Sequence, residues 1–336
     1  MTWFTELTGI DEQSPAQVRA ELAIQGDQIV CPTGKRIAFG RLETPALSEL
    51  RQSVVNLNTS SDDSTVSEIV GDAQQLHADP ANANALFQVA SQFNLLEMAA
   101  PMVTPEHGVG IYELDPTQGP ACAIACGGGT IFRNYFVPVG DSIGQSADKQ
   151  VDCSSLLGKR IGNAAGRLWS MQNGYLFPTD EGLREISAKL KRCSDAEIEE
   201  LGGELQIGLQ WQADVTLAGS RHKVSQAYCS ALPVAYGRQS DEQWTDLAKL
   251  ILDAAYEATL CAAVVNASQT GVNTVFLTLL GGGVFGNRDS WITDAIEHAF
   301  QRHRHHGLDV RIVSFRQSNP CVAQLVRRIN QTHDLA

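Results

Sequence analysis

The sequence predicts an α/β protein built around parallel strands, and three observations carry that prediction. Thr274 to Leu280 is an unbroken β-branched and leucine run, the mark of a strand buried on both faces. A helical pattern follows from about Arg288 to His305, and Asp309 to Phe315 is again strand-like. Parallel strands need a crossover between them, so strand, helix and strand in this order make a β-α-β unit.

The remaining elements follow along the chain. Residues 1–60 read as an N-terminal helical extension. Ser14-Pro15 opens a helix through Val18, Leu22 and Ile24, and Thr44-Pro45 opens another with Leu47, Leu50, Val54 and Val55 on its apolar face. Asn58 to Ser64 is a polar loop, and Thr65 to Val70 is a strand ending at Gly71-Asp72. Asn82 to Leu96 reads as a helix that buries Leu86, Val89, Ala90 and Phe93 and carries Asn84, Gln88 and Gln92 on another face.

Ala121 to Cys126 and Thr130 to Val139 read as the arms of a hairpin around Gly127-Gly128-Gly129. Residues 140–205 are weakly patterned, with a charged helix near Glu181 to Cys193, and read as an insertion within a domain spanning 61–336. Val224 to Ala235 is strand-like. Ser240-Asp241-Glu242-Gln243 is a capping box for a long helix, with Trp244, Leu247, Leu250, Ile251, Ala254 and Ala258 facing the core.

Composition narrows the function. Of 336 residues, 43% are hydrophobic and 19% charged, the balance of a globular chain. The net charge of −13 repels a phosphate backbone, which argues against general nucleic-acid binding. No window reaches the ~18–20 unbroken apolar residues of a membrane span, and the first residues lack the pattern of a signal peptide. The expectation is a soluble, cytoplasmic protein. Eight scattered cysteines with no C-x-x-C pair read as buried reduced thiols. Nothing in the sequence calls for a metal or a cofactor. His303, His305 and His306 suit the negative end of a helix better than a metal.

The sharpest motif is Gly281-Gly282-Gly283-Val284-Phe285-Gly286-Asn287, directly after the buried strand. Glycines permit positive φ and close backbone approach to a ligand. The helix that follows brings free N–H groups and a positive dipole end, so a diphosphate is the natural guest. The same glycines would also serve a turn that needs them for packing alone. There is no Lys-Ser or Lys-Thr of a P-loop and no G-x-G-x-x-G spacing.

A second cluster gathers carboxylates. Glu97, Glu106, Glu113 and Asp115 lie close in sequence, the last three within the turn-rich block Thr104 to Pro120. Cleaving a bond at an anomeric carbon passes through an oxocarbenium-like state. That chemistry wants a carboxylate to activate water or steady the charge. A solvated acidic loop capped by Asp115 is the plainer alternative. Arg133-Asn134 is a charge within an apolar run, suited either to pairing with a carboxylate or to structure.

The last β-α-β unit with its Gly281-to-Asn287 loop, and Ile69-Val70-Gly71-Asp72-Ala73 upstream, resemble macrodomains, which are ADP-ribose-binding modules. The resemblance covers about residues 65–140 and 224–316. It implies a three-layer α/β/α sandwich with a mixed sheet. It also implies that Gly281, Gly282, Gly283, Val284, Phe285, Gly286 and Asn287 hold the diphosphate and distal ribose, and that Asp72 accepts from the adenine amine.

The middle departs from ordinary macrodomains. Asn82 to Asn94 and the Thr104-to-Pro120 block look like a divergent branch, similar to the Legionella effector that hydrolyses ADP-ribosyl-arginine on ubiquitin. What that implies is an ADP-ribosyl hydrolase acting on an ADP-ribosylated protein. Asp115, Glu106 and Glu97 would be its catalytic candidates, and Gln88, Gln92, Asn94, Thr117 and Gln118 further ligand contacts. A non-catalytic ADP-ribose reader and a hydrolase acting on free NAD or a related nucleotide are the alternatives.

Overall fold

The protein is described by a computed structural model over residues 1–57 and 62–333. The polar loop expected at 58–64 therefore lies outside the described residues for 58–61. At the centre stands a seven-stranded sheet. Its strands are β1 (Arg41–Glu43), β2 (Thr65–Val70), β3 (Leu86–Ala90), β4 (Gly208–Asp214), β5 (Lys223–Cys229), β6 (Thr274–Leu277) and β7 (Asp309–Ser314). Their order is β1-β4-β5-β3-β6-β7-β2. Strands β5, β3, β6, β7 and β2 run parallel, while β4 is antiparallel to both its neighbours, which makes the sheet mixed.

Among the described residues twelve α-helices surround it: α1 (Trp3–Thr8), α2 (Pro15–Glu21), α3 (Leu47–Val55), α4 (Ala73–Ala78), α5 (Gln118–Ala125), α6 (Gly127–Tyr135), α7 (Ser155–Ile161), α8 (Asp180–Leu190), α9 (Asp195–Gly203), α10 (Asp241–Thr270), α11 (Asp289–Arg302) and α12 (Pro320–His333). One layer is built on α10, which packs against α3, α8, α9 and α11. The other holds α4, α5 and α6. In β6 the alternation is visible: Val275 and Leu277 join the α10 cluster, and Phe276 joins the cluster on the opposite face. This is the expected α/β/α sandwich.

The capping box at Ser240 and the buried stripe of α10 are present as expected. By length and composition α10 is apolar enough to cross a membrane, yet most of its most apolar stretch is buried inside the protein. In α3, Leu47 and Leu50 are buried, but Val55 is 76% exposed at the last turn.

Two expected elements are overturned. Residues 82–96 are not a helix: Leu86 to Ala90 form β3, between β5 and β6 in the sheet. Leu86, Phe87 and Val89 are buried on both faces, so polar and apolar residues do not alternate, and the apolar spacing matches a helix by coincidence. Asn84, with φ +63°, sits in the left-handed region and breaks any helix there.

The expected hairpin at 121–139 is instead the helix pair α5 and α6. Its glycines serve packing. A Cβ on Gly127 would lie 2.6 Å from Leu7 and Trp3, and one on Gly128 would lie 2.8 Å from Ile37. The N-terminal segment thus rests directly on the first turn of α6.

That segment also contains strands. Ala23–Gln25, Gln28–Val30 and Arg36–Ala38 form a small antiparallel sheet, and β1 is an edge strand of the central sheet. Phe4, Leu7, Val18, Ile29 and Ile37 share a second core with Tyr112, Ile131 and Tyr135. All eight cysteines are free thiols, six of them buried.

Candidate active site

The five parallel strands end on one side of the sheet, and the segments beyond those ends enclose a cavity of about 340 Å³. Ala73 follows β2, Ser91 follows β3, Ala231 follows β5, Thr278 follows β6, and Phe315 follows β7. Crevices outside the carboxyl ends of parallel strands are where open α/β sheets bind ligands.

The glycine loop forms one wall through Gly281, Gly283, Val284 and Phe285. Its geometry divides the glycines by task. Gly281 has φ +69° and Gly286 φ +72°, conformations costly for other residues. A Cβ on Gly281 would lie 2.6 Å from Ala231 Cβ, one on Gly286 would lie 2.9 Å from Ala235 Cβ, and one on Gly282 would lie 3.0 Å from Ile292 Cδ1. Gly283 alone faces open space.

The loop is closed on itself. Asn287 N–H donates to Gly281 O at 2.9 Å, and Gly286 N–H donates to Gly283 O at 3.1 Å. Among the described residues, the N–H groups of Gly283, Val284 and Phe285 have no acceptor. Successive free amides on a concave turn make an anion nest.

A second set of free donors faces the same cavity. Thr117, Gln118, Gly119 and Pro120 line it at the start of α5, where Thr117 gives no side-chain cap. The amides of Gln118 and Gly119 also lack an acceptor among the described residues. Among the described residues no lysine or arginine lines the cavity. An anion here would be held by backbone dipoles and a helix end.

The carboxyl side chains lining the cavity are Glu97 and Asp115. Glu97 is 6% exposed, and its Oε1 has no partner among the described residues. Burial pushes its carboxyl well above the usual range; the Arg133 charge opposes that rise and the Asp115 charge adds to it. That direction favours the protonated carboxyl, the form that has a proton to give. A Cβ on Gly119 would lie 2.6 Å from Glu97 Oε2, so glycine is needed where α5 passes the carboxyl. Half-buried Asp115 accepts from Thr117 N–H at 2.9 Å.

Arg133 lies behind this pair. It is buried, and its guanidinium stacks 3.6 Å from the ring centre of Tyr228. It donates to Leu95 O, Gln210 Oε1 and Thr130 Oγ1. Its role is structural anchoring with an electrostatic reach to Glu97, rather than a hydrogen-bonded ion pair.

Phe285 belongs to an aromatic group with Tyr175 and Tyr236, whose ring centres lie 5.5 and 5.9 Å from its own. Tyr175 donates through its hydroxyl to Met98 O at 2.6 Å. It arrives on the short hairpin Trp169–Gln172 and Tyr175–Pro178, so the weakly patterned stretch 140–205 supplies part of the cavity wall. At the other end Phe315 is 39% exposed, with Arg316 over its ring.

Several expected site residues fall elsewhere. Glu106 is exposed, accepts from Ala147 N–H at 2.8 Å and does not line the cavity. Gln88 is buried in β3, donating to Thr259 Oγ1 and accepting from Thr278 N–H. Asn94 is buried and does not line the cavity; it is bonded to Gln150 and Leu96. Asn287 points inward and donates to Leu232 O at 2.8 Å, fastening the glycine loop.

Gln92 lines the cavity, but its amide pairs with both backbone groups of Met98. Gln118 lines it as well, accepting from Ala73 N–H. Asp72 caps α4 through Gln74 N–H, one residue before cavity-lining Ala73. The first turn of α11 is not part of the wall, so the free amides are those of the loop itself.

The expected cation at His303, at the end of α11, is also revised. His303 is buried beside Cys261 Sγ, and its imidazole is pushed down to about 3, chiefly by burial, so it is neutral. Arg302 supplies the positive charge in that last turn.

Tyr175, Tyr236, Thr278 and Phe315 were not singled out from sequence. Phe315 had a usable signal, an aromatic just past the end of a parallel strand, and Tyr175 follows the turn dipeptide Asn173-Gly174.

Among solved structures, the chain is similar to the poly(ADP-ribose) glycohydrolase of Deinococcus radiodurans in complex with ADP-ribose. The TM-score is 0.46 and the identity 13%, over 87% of this chain and 94% of that one. It is also similar to the Thermomonospora curvata glycohydrolase bound to the inhibitor ADP-HPD, with TM-score 0.44 and 13% identity over 94% and 97% of the two chains. No protein-family model and no curated protein matches the sequence.

Proposed function

We propose that this protein is an ADP-ribosyl hydrolase, releasing ADP-ribose from modified protein side chains. The observation that carries this reading is one cavity holding both a run of three free amides, Gly283 to Phe285, and two carboxyls, Glu97 and Asp115. The amides and the start of α5 suit a diphosphate. The carboxyls suit a ribose anomeric carbon beside it.

In this mechanism Glu97 gives its proton to the leaving atom as the glycosidic bond breaks. Asp115 steadies the oxocarbenium-like carbon and takes a proton from the water whose oxygen bonds to that carbon. Solvent then restores both groups. Phe315 would stack on the adenine. The finer reading is an arginine-linked substrate. It is supported by Asp115 in a cavity with no basic side chain among the described residues, and by Tyr175, Tyr236 and Phe285 in its lining, since aromatic rings attract a guanidinium.

The test is release of ADP-ribose from an arginine-modified protein by the parent chain and by Asp115→Ala. The variant should lose roughly 10²–10⁴-fold in turnover while binding ADP-ribose nearly as well. A parent chain that binds ADP-ribose and releases none is a reader instead. Faster turnover of serine-linked than arginine-linked substrate overturns the linkage.

A further inference from the structure

Both carboxyls are set in place by one short segment, and that segment is held from the N-terminal end of the chain. Residues Gly110–Leu114 form a 3-10 turn leading directly into Asp115, whose N–H donates to Tyr112 O at 3.1 Å. The hydroxyl of buried Tyr112 accepts from Glu97 N–H at 3.0 Å. The same turn therefore carries one carboxylate and braces the backbone of the other.

What fixes the turn is Glu12. Its Oε1 accepts from Val109 N–H at 2.9 Å and from the Tyr135 hydroxyl at 2.6 Å, and its Oε2 accepts from Gly110 N–H at 2.7 Å. The carboxylate lies where side chains on Gly108 and Gly110 would be: a Cβ there would come within 2.6 and 2.7 Å of its oxygens. Trp3 adds two bonds, from Nε1 to Val109 O and from its N–H to Glu113 Oε2. A carboxylate taking two successive amides and a phenol is a charge-assisted clasp, stronger than neutral bonds of the same number.

We infer that Glu12 is a positioning residue for the reaction, holding Gly108 to Leu114 so that Asp115 and Glu97 are kept in the same cavity. This inference rests on the hydrolase reading. Glu12 lines no part of the cavity and is more than a hundred residues from Asp115 in sequence, so it acts only through the turn. The N-terminal segment becomes part of the catalytic apparatus.

The test compares the full-length parent with Glu12→Gln and Glu12→Asp. In Glu12→Gln the side chain keeps its shape, but an NH₂ opposes one of the two amides. Turnover should fall roughly ten-fold or more, while ADP-ribose affinity stays within about two-fold, because loss of alignment costs the chemical step rather than binding. Glu12→Asp, which retains the charge, should recover part of the loss. Amide exchange at Val109 and Gly110 should quicken in Glu12→Gln and reach Asp115.

Undiminished turnover in Glu12→Gln overturns the inference. So does a joint fall of turnover, affinity and thermal stability, which marks a merely structural residue. If the parent chain itself releases no ADP-ribose, the hydrolase reading fails separately. Exchange then decides the clasp: unchanged protection from Val109 to Asp115 in Glu12→Gln refutes it.

Discussion

The Tyr112 hydroxyl accepts a hydrogen bond from Glu97 N–H at 3.0 Å, and both residues are buried. The brace fixes a carboxyl that sits in poor solvent with one oxygen unpaired. Such a group costs stability when charged, and its removal should be visible without any substrate.

Glu97→Gln is predicted to stabilise the protein at neutral pH. The folded chain holds the Glu97 proton to a much higher pH than the unfolded chain does. Below the ordinary carboxylate range both states are protonated and the group contributes no pH dependence. As pH rises from there towards the raised folded value, the unfolded state alone loses its proton, and stability falls. Thermal melts of parent and variant should therefore diverge from about pH 4.5 upward, the variant melting higher. Turnover should drop at the same time, as happens where a site is built against stability. Equal slopes of Tm against pH in the two proteins would mean Glu97 is not held protonated.

The glycine loop predicts two opposite phenotypes a few residues apart. A side chain on Gly283 meets nothing in the protein but enters the cavity. Gly283→Val should thus melt like the parent and lose ADP-ribose binding. Gly281→Ala puts a Cβ at φ +69° and against Ala231, so it should lose about 1–3 kcal/mol of stability. Calorimetry with ADP-ribose and thermal melts separate the two. Normal binding by Gly283→Val would remove the diphosphate from this loop.

The contrast shows what was legible in the sequence. A buried strand followed by glycines is a local pattern, so β6, its loop, α11 and β7 could be read directly. Long-range packing was not readable. Gly127 to Gly129 look like a turn until Trp3, Leu7 and Ile37 are seen against them. The carboxylates were found by clustering in sequence, but Glu106 and Asp115, only nine residues apart, end on different surfaces. Gln88 and Asn94 look like ligand contacts because their partners, Thr259 and Gln150, are far away in the chain. Tyr175 comes from the weakly patterned stretch 140–205 and Tyr236 from the short link between a strand and a helix, so their convergence on Phe285 is a long-range contact that no local pattern shows.

Phe315→Ala should weaken ADP-ribose binding by about 1–3 kcal/mol, the usual worth of a base stacked on an aromatic ring. The ring stands half-exposed at one end of the cavity, past the end of β7 and beside Arg316. Ribose 5-phosphate, which has no base, should bind parent and variant alike. Titration of both ligands against both proteins checks this. An equal loss for the two ligands would place the adenine elsewhere.

The pH profile of turnover supplies the last prediction. Glu97 can act as an acid only while protonated, so turnover should decline as pH rises through its elevated value. The buried Arg133 charge opposes that elevation. Arg133→Met removes the charge and retains much of the stem that lies over Tyr228. The variant will be less stable, since Leu95 O, Gln210 Oε1 and Thr130 Oγ1 lose their donor. In the fraction that remains folded, the alkaline decline should shift to higher pH, because the carboxyl holds its proton more tightly. Turnover against pH for the two proteins, normalised to folded enzyme, measures that shift. A decline that stays in place or moves towards acid would show that Glu97 is not the titrating acid.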